Sequence, residues 1–319
     1  MMIPKIKNCP ACGSKKSLEV VALDDNKKEN YLKFSELKYN HLIDGWLEKF
    51  DVAIDGCLDC GHHWYREQPS KEMLSSMYEN GVALLPQSIA DRRQPTLQMI
   101  KEMRRLKRLL SPSAPKLLDY GSGFGRWARA ASSVGFDVTA YEPSYERGSE
   151  DIDIEFTLAH DVTNLENQLY DVINLEQVLE HVPDPLELLK ELRVYCKPNT
   201  ILRIAVPNIL RCPEGRHIWE SWPYDGCRVH TMAPFEHLQG FTPLSLKKVA
   251  GRAGFKSVGN LRVWRRYPTE MVRSYAGKFF PKLGHTFLLL KISIKFNLEF
   301  SKPSVKKYLI IDEIKNPLS

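Results

Sequence analysis

The chain has 319 residues, of which 43% are hydrophobic and 26% are charged, and this composition excludes disordered and collagen-like chains. The best candidate for a membrane span, residues 287–294, carries Lys291 and is far shorter than the about 20 apolar residues that a spanning helix needs. The formal net charge of +6 is concentrated in residues 261–319, which hold twelve Lys and Arg against four Asp and Glu. The near-neutral remainder disfavours a protein built throughout to bind a phosphate backbone.

Two Cys-x-x-Cys-Gly motifs occur in the first 80 residues, at 9–13 and 57–61. Each motif presents two thiolates from a tight turn, and two such turns complete a tetrahedral sulfur site for Zn²⁺. The proposed ligands are Cys9, Cys12, Cys57 and Cys60. We expect a structural zinc that stabilises a segment too small to build its own core.

Two alternatives to zinc remain open for these cysteines, namely reduced structural thiols or a redox pair in one motif. A redox pair is typical of a strand-to-helix turn, which neither motif resembles. We expect the adjacent His62 and His63 to face solvent or to pack, with a role as substitute ligands as the alternative. No secretory signal precedes the first motif, so we expect a cytoplasmic protein, whose reducing environment favours metal ligands over disulfides.

An amphipathic helix is predicted at residues 94–110. Its apolar residues recur at three- and four-residue spacing among basic ones: Leu97, Ile100, Met103, Leu106 and Leu110. This helix and the basic tail at 278–307 could contact an anionic membrane. We favour the simpler interpretation of a solvated helix face and a packed terminal extension.

Short apolar strands alternate with helices from residue 116 to about residue 265, which predicts βαβ units and a parallel sheet. We expect strands at 116–120, 137–141, 154–158, 171–175 and 201–206, and a final strand at 308–311. We expect helices at 126–134, 185–196 and 243–253.

Three glycines at alternate positions, Gly121, Gly123 and Gly125, follow the first of these strands. Glycine permits positive φ and a close approach of a ligand, and the N-terminus of the next helix offers free N–H groups. The third glycine of the dinucleotide fingerprint would fall at position 126, which is Arg126. The motif is therefore a different one, and its ligand has to be inferred from the strands that follow.

Acidic residues end the next two strands. Glu142 is placed to accept both ribose hydroxyls of an adenosine. Asp161 ends the following strand and could accept from an adenine amino group.

With the stretches at 176–185 and 235–243, these motifs resemble a class I S-adenosylmethionine-dependent methyltransferase. The resemblance implies a doubly wound, Rossmann-like, seven-stranded, mostly parallel sheet. It implies that the glycine loop holds the methionine portion, Glu142 the ribose, and Asp161 with Val162 the adenine edge. The full predicted cofactor set is Asp119, Gly121, Ser122, Gly123, Gly125, Glu142, Asp161, Val162, Glu176 and Gln177. A carboxylate that only braces the fold is the alternative for Asp119.

The sequence divides into four predicted parts. These are a zinc-ribbon-like segment at 1–80, a linker with the amphipathic helix at 81–115, a methyltransferase domain at 116–268, and a basic extension with the last strand at 269–319.

The acceptor side is predicted to lie in the loops after the fourth and fifth strands, at the carboxyl edge of the sheet. His181 or His237 is the expected general base, because histidine titrates near pH 7, and Glu236 adjoins His237. The alternatives are that His181 braces the turn before Pro183 and that His237 supports its loop. The predicted acceptor wall consists of His217, Trp219, Trp222, Tyr224 and His230.

Two further resemblances bear on the acceptor. The two cysteine motifs before a methyltransferase pattern are similar to the sugar C-methyltransferases, which have a Tyr-x-Glu-His stretch where this chain has residues 235–237 and which carry a further C-terminal domain. Ubiquinone-pathway O-methyltransferases carry a Glu-x-x-Glu-His stretch associated with a divalent cation, and here Gln177 replaces its first carboxylate.

We therefore expect methyl transfer to a small-molecule or sugar acceptor. The alternatives are an RNA methyltransferase that binds its strand through the zinc segment and the basic tail, and a non-catalytic S-adenosylmethionine-binding protein.

Overall fold

A computed structural model describes residues 5–39, 41–80, 93–110, 113–145, 156–211, 231–257 and 304–310. Among the helices in these ranges, none combines the length and the apolar character that crossing a membrane requires.

The N-terminal part of the structure is built on a small antiparallel sheet. Its elements are β1 (Ser17–Ala22), α1 (Asp25–Tyr39), β2 (Ala53–Cys57), β3 (His63–Tyr65) and α2 (Lys71–Asn80). The sheet order is β1-β2-β3-β9, and β9 (Gln239–Gly240) comes from the second half of the chain. The small sheet therefore crosses the boundary predicted at residue 80, and the four-part division stays a prediction.

The second sheet contains seven strands in the order β10-β11-β8-β7-β4-β5-β6. Its strands are β4 (Lys116–Tyr120), β5 (Asp137–Tyr141), β6 (Thr157–Ala159), β7 (Tyr170–Glu176), β8 (Cys196–Pro207), β10 (Lys256–Ser257) and β11 (Ser304–Ile310). The five neighbouring strands β8, β7, β4, β5 and β6 run parallel to one another, whereas β11 is antiparallel to both β8 and β10. The predicted α/β fold class is confirmed.

Within the described residues, four helices accompany this sheet. They are α3 (Leu97–Lys107), α4 (Arg126–Ser132), α5 (Pro185–Glu191) and α6 (Pro243–Arg252). The predicted helix at 185–196 ends early, because the chain tightens into a 3-10 turn at Leu192–Tyr195. Asp184 caps α5 by accepting from the N–H groups of Leu186 and Glu187, as the Asp-Pro start predicts.

The predicted amphipathic helix is α3, and its apolar face packs on the large sheet. Met103 and Leu106 are fully buried in a cluster with Leu117 and Trp127, whereas Lys101 is exposed. Glu102, a charged residue, is also buried. Its ion-pair partner is Arg203, in the middle of the sheet.

Candidate functional site

The glycine loop connects β4 to α4 in a left-handed backbone conformation, with φ of 72° at Gly121, 54° at Gly123 and 73° at Gly125. A Cβ atom at Gly121 would lie 2.8 Å from Val178 Cγ2, and one at Gly125 would lie 2.8 Å from Phe156 Cζ. A Cβ atom at Gly123 would meet nothing within 4 Å. The loop therefore requires glycine at its ends for packing, while its middle faces open space.

Glu142 lies directly beside this loop at the end of β5. Its Oε2 accepts a 2.8 Å hydrogen bond from the backbone N–H of Gly123, and its Oε1 accepts one of 3.2 Å from Ser144 N–H. The side chain is buried. Because an ionised carboxylate offers about four acceptor positions, Glu142 retains capacity for ribose hydroxyls.

Asp119 lies beneath the loop, fully surrounded by protein. Its Oδ1 accepts a 2.7 Å hydrogen bond from the Asn174 amide, and Asn174 in turn accepts from Arg203 Nη1 at 2.6 Å. Burial raises the pKa of Asp119 to about 6, against the lowering effects of the Asn174 hydrogen bond and of the nearby Arg203 charge. These contacts support the bracing role that the sequence left open for Asp119.

Arg203 is the buried cation of this network and lies in the middle of β8. Its Nε donates to Glu102 Oε1 at 2.8 Å, and its Nη1 lies 2.6 Å from Glu176 Oε2. Its guanidinium carbon lies 4.0 Å from the centroid of the Trp127 ring. Sequence reasoning missed Arg203, although a charge inside an apolar strand buried on both faces is itself a signal.

Asp161 and Val162 lie at the end of β6, where Asp161 caps a short 3-10 helix. One oxygen of Asp161 accepts from both the N–H and the hydroxyl of Thr163, each at 2.8 Å. The Thr163 backbone hydrogen bond, with that of its hydroxyl, lowers the pKa of Asp161. The side chain of Val162 is 43% exposed, so the residues predicted to meet adenine stay accessible.

Two atoms around the loop are buried and, within the described residues, have no hydrogen-bond partner: Ser122 Oγ and Asp119 Oδ2. Ser122 Oγ, the open space at Gly123 and the acid at Glu142 together fit a ligand that brings donors and a nucleoside. The amide of Gln177 donates to Ala205 O at 3.3 Å and its side chain is exposed. Its predicted contact with the cofactor stays a prediction.

His181 lies in the turn after β7, and its Nδ1 has two partners. The carbonyl oxygen of Glu236 and the hydroxyl of Tyr78 each lie 2.8 Å from this nitrogen. Because a carbonyl oxygen can only accept, the Glu236 contact favours the tautomer with the ring proton on Nδ1, in which the Tyr78 hydroxyl is a second acceptor of the same N–H. The lone pair of a neutral His181 is then on Nε2, the arrangement that a general base requires.

His237 packs edge-on against His181, with 4.7 Å between the ring centroids. Its Nδ1 lies 3.2 Å from Thr231 O, which assigns its proton in the same way. The carboxylate of Glu236 turns toward the N-terminal part, where Oε2 accepts a 2.7 Å hydrogen bond from Tyr39. Burial, with the Glu236 charge, raises the pKa of Tyr39, so this phenol stays protonated and donates.

Glu180 is fully buried beside the two histidines. Burial raises its pKa well above the ordinary range, so the neutral carboxyl is favoured. Ligand atoms of Glu180, His181 and His237 all lie within 4.8 Å of one another. These three side chains are therefore close enough together to hold one cation.

Tyr39 and Tyr78 are the site residues that sequence reasoning missed in the N-terminal part. They lie on α1 and α2, two helices that were not predicted, and they contact residues 197 and 103 positions away. No local pattern marks such long-range contacts.

Phe235, next to Glu236, has a φ of 63° and packs against Trp46 with 5.2 Å between ring centroids.

The four motif cysteines come together as the sequence predicts. Cys9 Sγ lies 3.6 Å from Cys60 Sγ, and Cys12 Sγ lies 3.6 Å from Cys57 Sγ. All four sulfurs lie within 4.8 Å of one another. Four sulfurs bound to Zn²⁺ at about 2.3 Å would lie about 3.8 Å apart, so the cluster fits a tetrahedral ion.

Within the cluster, the thiolate form is favoured at Cys9. The hydrogen bond from Cys60 lowers the pKa of Cys9 to about 5, against the opposing effect of burial. The same hydrogen bond raises the pKa of Cys60, and burial raises that of Cys12. Since zinc binds the thiolate, binding the metal has to displace protons from the other thiols.

The predicted acceptor wall lies outside the described residues. This applies to His217, Trp219, Trp222, Tyr224 and His230. Their roles stay predictions.

The strand order, the antiparallel placement of β11 beside β8 and the glycine loop with Glu142 define a class I S-adenosylmethionine-dependent methyltransferase fold. The chain belongs to the methyltransferase domain family, whose model matches residues 92–259, slightly more than half of the chain.

Curated relatives include two ubiquinone biosynthesis O-methyltransferases. The one from Thiobacillus denitrificans is 28% identical over 159 residues, which cover 44% of this chain and 65% of the relative. The one from Actinobacillus pleuropneumoniae is 30% identical over 107 residues, covering 29% and 46% respectively. The chain thus spans less than two thirds of the length of these relatives.

Among solved structures, the plantazolicin methyltransferase BamL, bound to SAH and a substrate analogue, has a TM-score of 0.45 at 11% identity over 90% of this chain and 97% of its own. The 1,6-didemethyltoxoflavin N1-methyltransferase of Burkholderia thailandensis has a TM-score of 0.39 at 16% identity, over 63% and 88%.

Proposed function

We propose that this protein transfers a methyl group from S-adenosylmethionine to a small-molecule or sugar acceptor. The observation that carries the proposal is the hydrogen bond between Glu142 and the Gly123 N–H, which places an acid and an open glycine loop at one edge of the sheet. Family membership and the names of the O-methyltransferase relatives support it.

The cofactor would be held by the glycine loop, Glu142 and the segment at 161–162, and it supplies an electrophilic methyl group on a sulfonium. His181 accepts the acceptor's proton on Nε2 while its Nδ1–H stays bonded to Glu236 O. When bound, the cofactor would supply the methyl group to the acceptor atom, and its sulfur would keep the electron pair of the broken bond.

A small acceptor is favoured because the groups around the half-buried His181 are enclosed. Glu180 is fully buried, and Glu236 and His237 are 8% and 7% exposed. The N-terminal helices close this side of the site through Tyr39 and Tyr78. A folded RNA would need an open surface at the same position.

The cysteine cluster is proposed to bind one structural Zn²⁺. The 3.6 Å sulfur contacts support this role, and the set of four thiolates leaves no ligand position for a substrate. The proposal requires thiols that stay reduced, as they do in the cytoplasm.

A second candidate mechanism is deprotonation assisted by a divalent cation at Glu180, His181 and His237. The 4.8 Å clustering of their ligand atoms favours it. Desalted protein assayed with and without added Mg²⁺ or Mn²⁺ separates the two mechanisms. Turnover that requires the added ion supports the cation, and turnover without it supports the histidine base.

The proposed function is tested with S-adenosylmethionine itself. We expect S-adenosylmethionine to raise the melting temperature of the purified protein. When its methyl group is tritiated, we expect the label to be transferred to a member of a panel of catechols or of a panel of nucleotide-linked sugars. A protein that shows neither a thermal shift nor calorimetric binding would contradict the proposal.

A further inference from the structure

Gln239 lies between the second cysteine motif and the turn that carries His181. Its side chain is 1% exposed. The amide nitrogen donates to Pro183 O at 2.9 Å and to Val182 O at 3.3 Å, and the backbone N–H donates to Glu180 O at 3.1 Å. One residue therefore holds backbone carbonyls on both sides of His181.

The orientation of this amide is determined by its surroundings. Its nitrogen faces carbonyls that can only accept, so Oε1 must face the other way, toward His62 Nε2 at 2.9 Å. His62 therefore carries its proton on Nε2. Its ring is fully buried and packs on Phe241, with 4.7 Å between the centroids.

The surrounding backbone reinforces the same connection. Gln239 pairs with Trp64 where β9 meets β3. Three residues further on, the hydroxyl of Thr242 donates to Cys60 O at 2.8 Å. The second cysteine motif is thus bonded to the 239–242 stretch through both side chains and backbone.

We propose that Gln239 is a positioning residue for His181. We further propose that the hydrogen bond from His62, next to the second cysteine motif, restrains the side chain of Gln239. The amide fixes the turn, and the fixed turn keeps His181 Nδ1 within 2.8 Å of Glu236 O. The imidazole is thereby held in the Nδ1–H form, with its lone pair on Nε2. The inference rests on the proposed role of His181 as the base.

The test uses long-range ¹H–¹⁵N NMR spectra of the full-length protein labelled at histidine, with His181→Asn to assign the signal. We expect the Nδ1–H tautomer in the wild type. Gln239→Met, which removes both hydrogen-bonding sides, should give a tautomer mixture. Gln239→Glu should do the same at a pH high enough to ionise the new carboxyl, because a carboxylate accepts from His62 and cannot donate to Val182 and Pro183.

Gln168→Met is the matched control, because it removes an amide of the same size far from His181. Zinc content and the thermal shift with S-adenosylmethionine should be unchanged in all variants, which separates positioning from folding. His62→Phe removes the hydrogen bond to Gln239 Oε1, and it should give a partial mixture of the two His181 tautomers. With a substrate in hand, kcat of Gln239→Met should fall about 10- to 100-fold at an unchanged KM for S-adenosylmethionine.

A single Nδ1–H tautomer retained in both Gln239 variants would overturn the inference. Retention in His62→Phe alone would overturn the part that runs through His62. If Gln239→Met loses its zinc or does not fold, the tautomer of His181 in Gln239→Glu decides whether the inference holds. The proposed function fails separately, when the wild type does not bind S-adenosylmethionine, and the tautomer measurement does not depend on that binding.

Discussion

The Glu142 carboxylate accepts a 2.8 Å hydrogen bond from the backbone N–H of Gly123 and so ties the end of β5 to the loop after β4. One side chain thereby fixes the shape of the glycine loop and keeps acceptor positions at the pocket edge. A substitution at Glu142 therefore affects both the shape of the loop and the binding of a ligand. A test of ligand binding needs a variant that keeps the hydrogen bond from Gly123.

Glu142→Gln is that variant, because its amide oxygen can still accept from Gly123. We expect the affinity for S-adenosylmethionine to fall about 10- to 100-fold, since hydrogen bonds to charged groups contribute about 1.5–3 kcal/mol. Isothermal titration calorimetry measures the change. Asp137→Asn, at the exposed start of the same strand, should leave the affinity unaltered, and an equal loss there would argue against a specific role for Glu142.

Cys57→Ser should release the zinc, because a serine hydroxyl does not replace a thiolate ligand. Metal analysis should fall from about one zinc per chain to near zero, with a lower melting temperature, since metal binding contributes folding free energy. Cys196→Ser is the control, because Cys196 is buried elsewhere and donates to Leu192 O. Wild-type protein purified without zinc or another metal would refute the site.

His181→Gln should lower kcat about 10²- to 10⁴-fold, the usual contribution of a general base, while binding of S-adenosylmethionine is preserved. Initial rates with tritiated cofactor and an acceptor from the two panels measure the effect. His41→Asn changes an exposed histidine at a position of positive φ that Asn tolerates. A rate for His181→Gln that equals the rate of this control would remove His181 from the mechanism.

Asp119 should make the fold less stable as pH rises. Its folded pKa of about 6 exceeds the ordinary value of 3.8, so the folded state holds the proton longer than the unfolded chain does. The cost is absent below about pH 4 and complete above about pH 6, where it reaches about 3 kcal/mol. Urea unfolding across this window should show a smaller loss of stability for Asp119→Asn than for the wild type. Identical slopes would contradict the assignment.

Arg203→Met should destabilise the protein by about 3–5 kcal/mol, because it leaves Glu102 and Glu176 without their buried cation. Adding Glu102→Gln should recover part of the loss, because one uncompensated charge is then removed. Urea unfolding of the single and double variants gives the coupling. Lys190→Met, in an exposed ion pair with Glu187, should change stability by less than about 1 kcal/mol.

The fold could be predicted from the sequence because its signals are local. The strands at 116–120 and 137–141 lie where apolar runs predict them, and α4 begins directly after the glycine loop. Duplication of Cys-x-x-Cys-Gly predicted a cluster that the structure brings together. Each of these depends on residues within a few positions of one another, where spacing determines backbone conformation and ligand geometry.

The surroundings of His181 could not be predicted in the same way. Tyr78, Glu236 and Gln239 reach the turn from 55 or more positions away along the chain. Side-chain partners at such separations follow from how helices and sheets pack, and neither periodicity nor spacing encodes that packing. The sequence by itself determined the class of fold, the glycine loop and the cysteine motifs. Only the tertiary structure decided which nitrogen of His181 holds the proton, because that depends on contacts between distant segments.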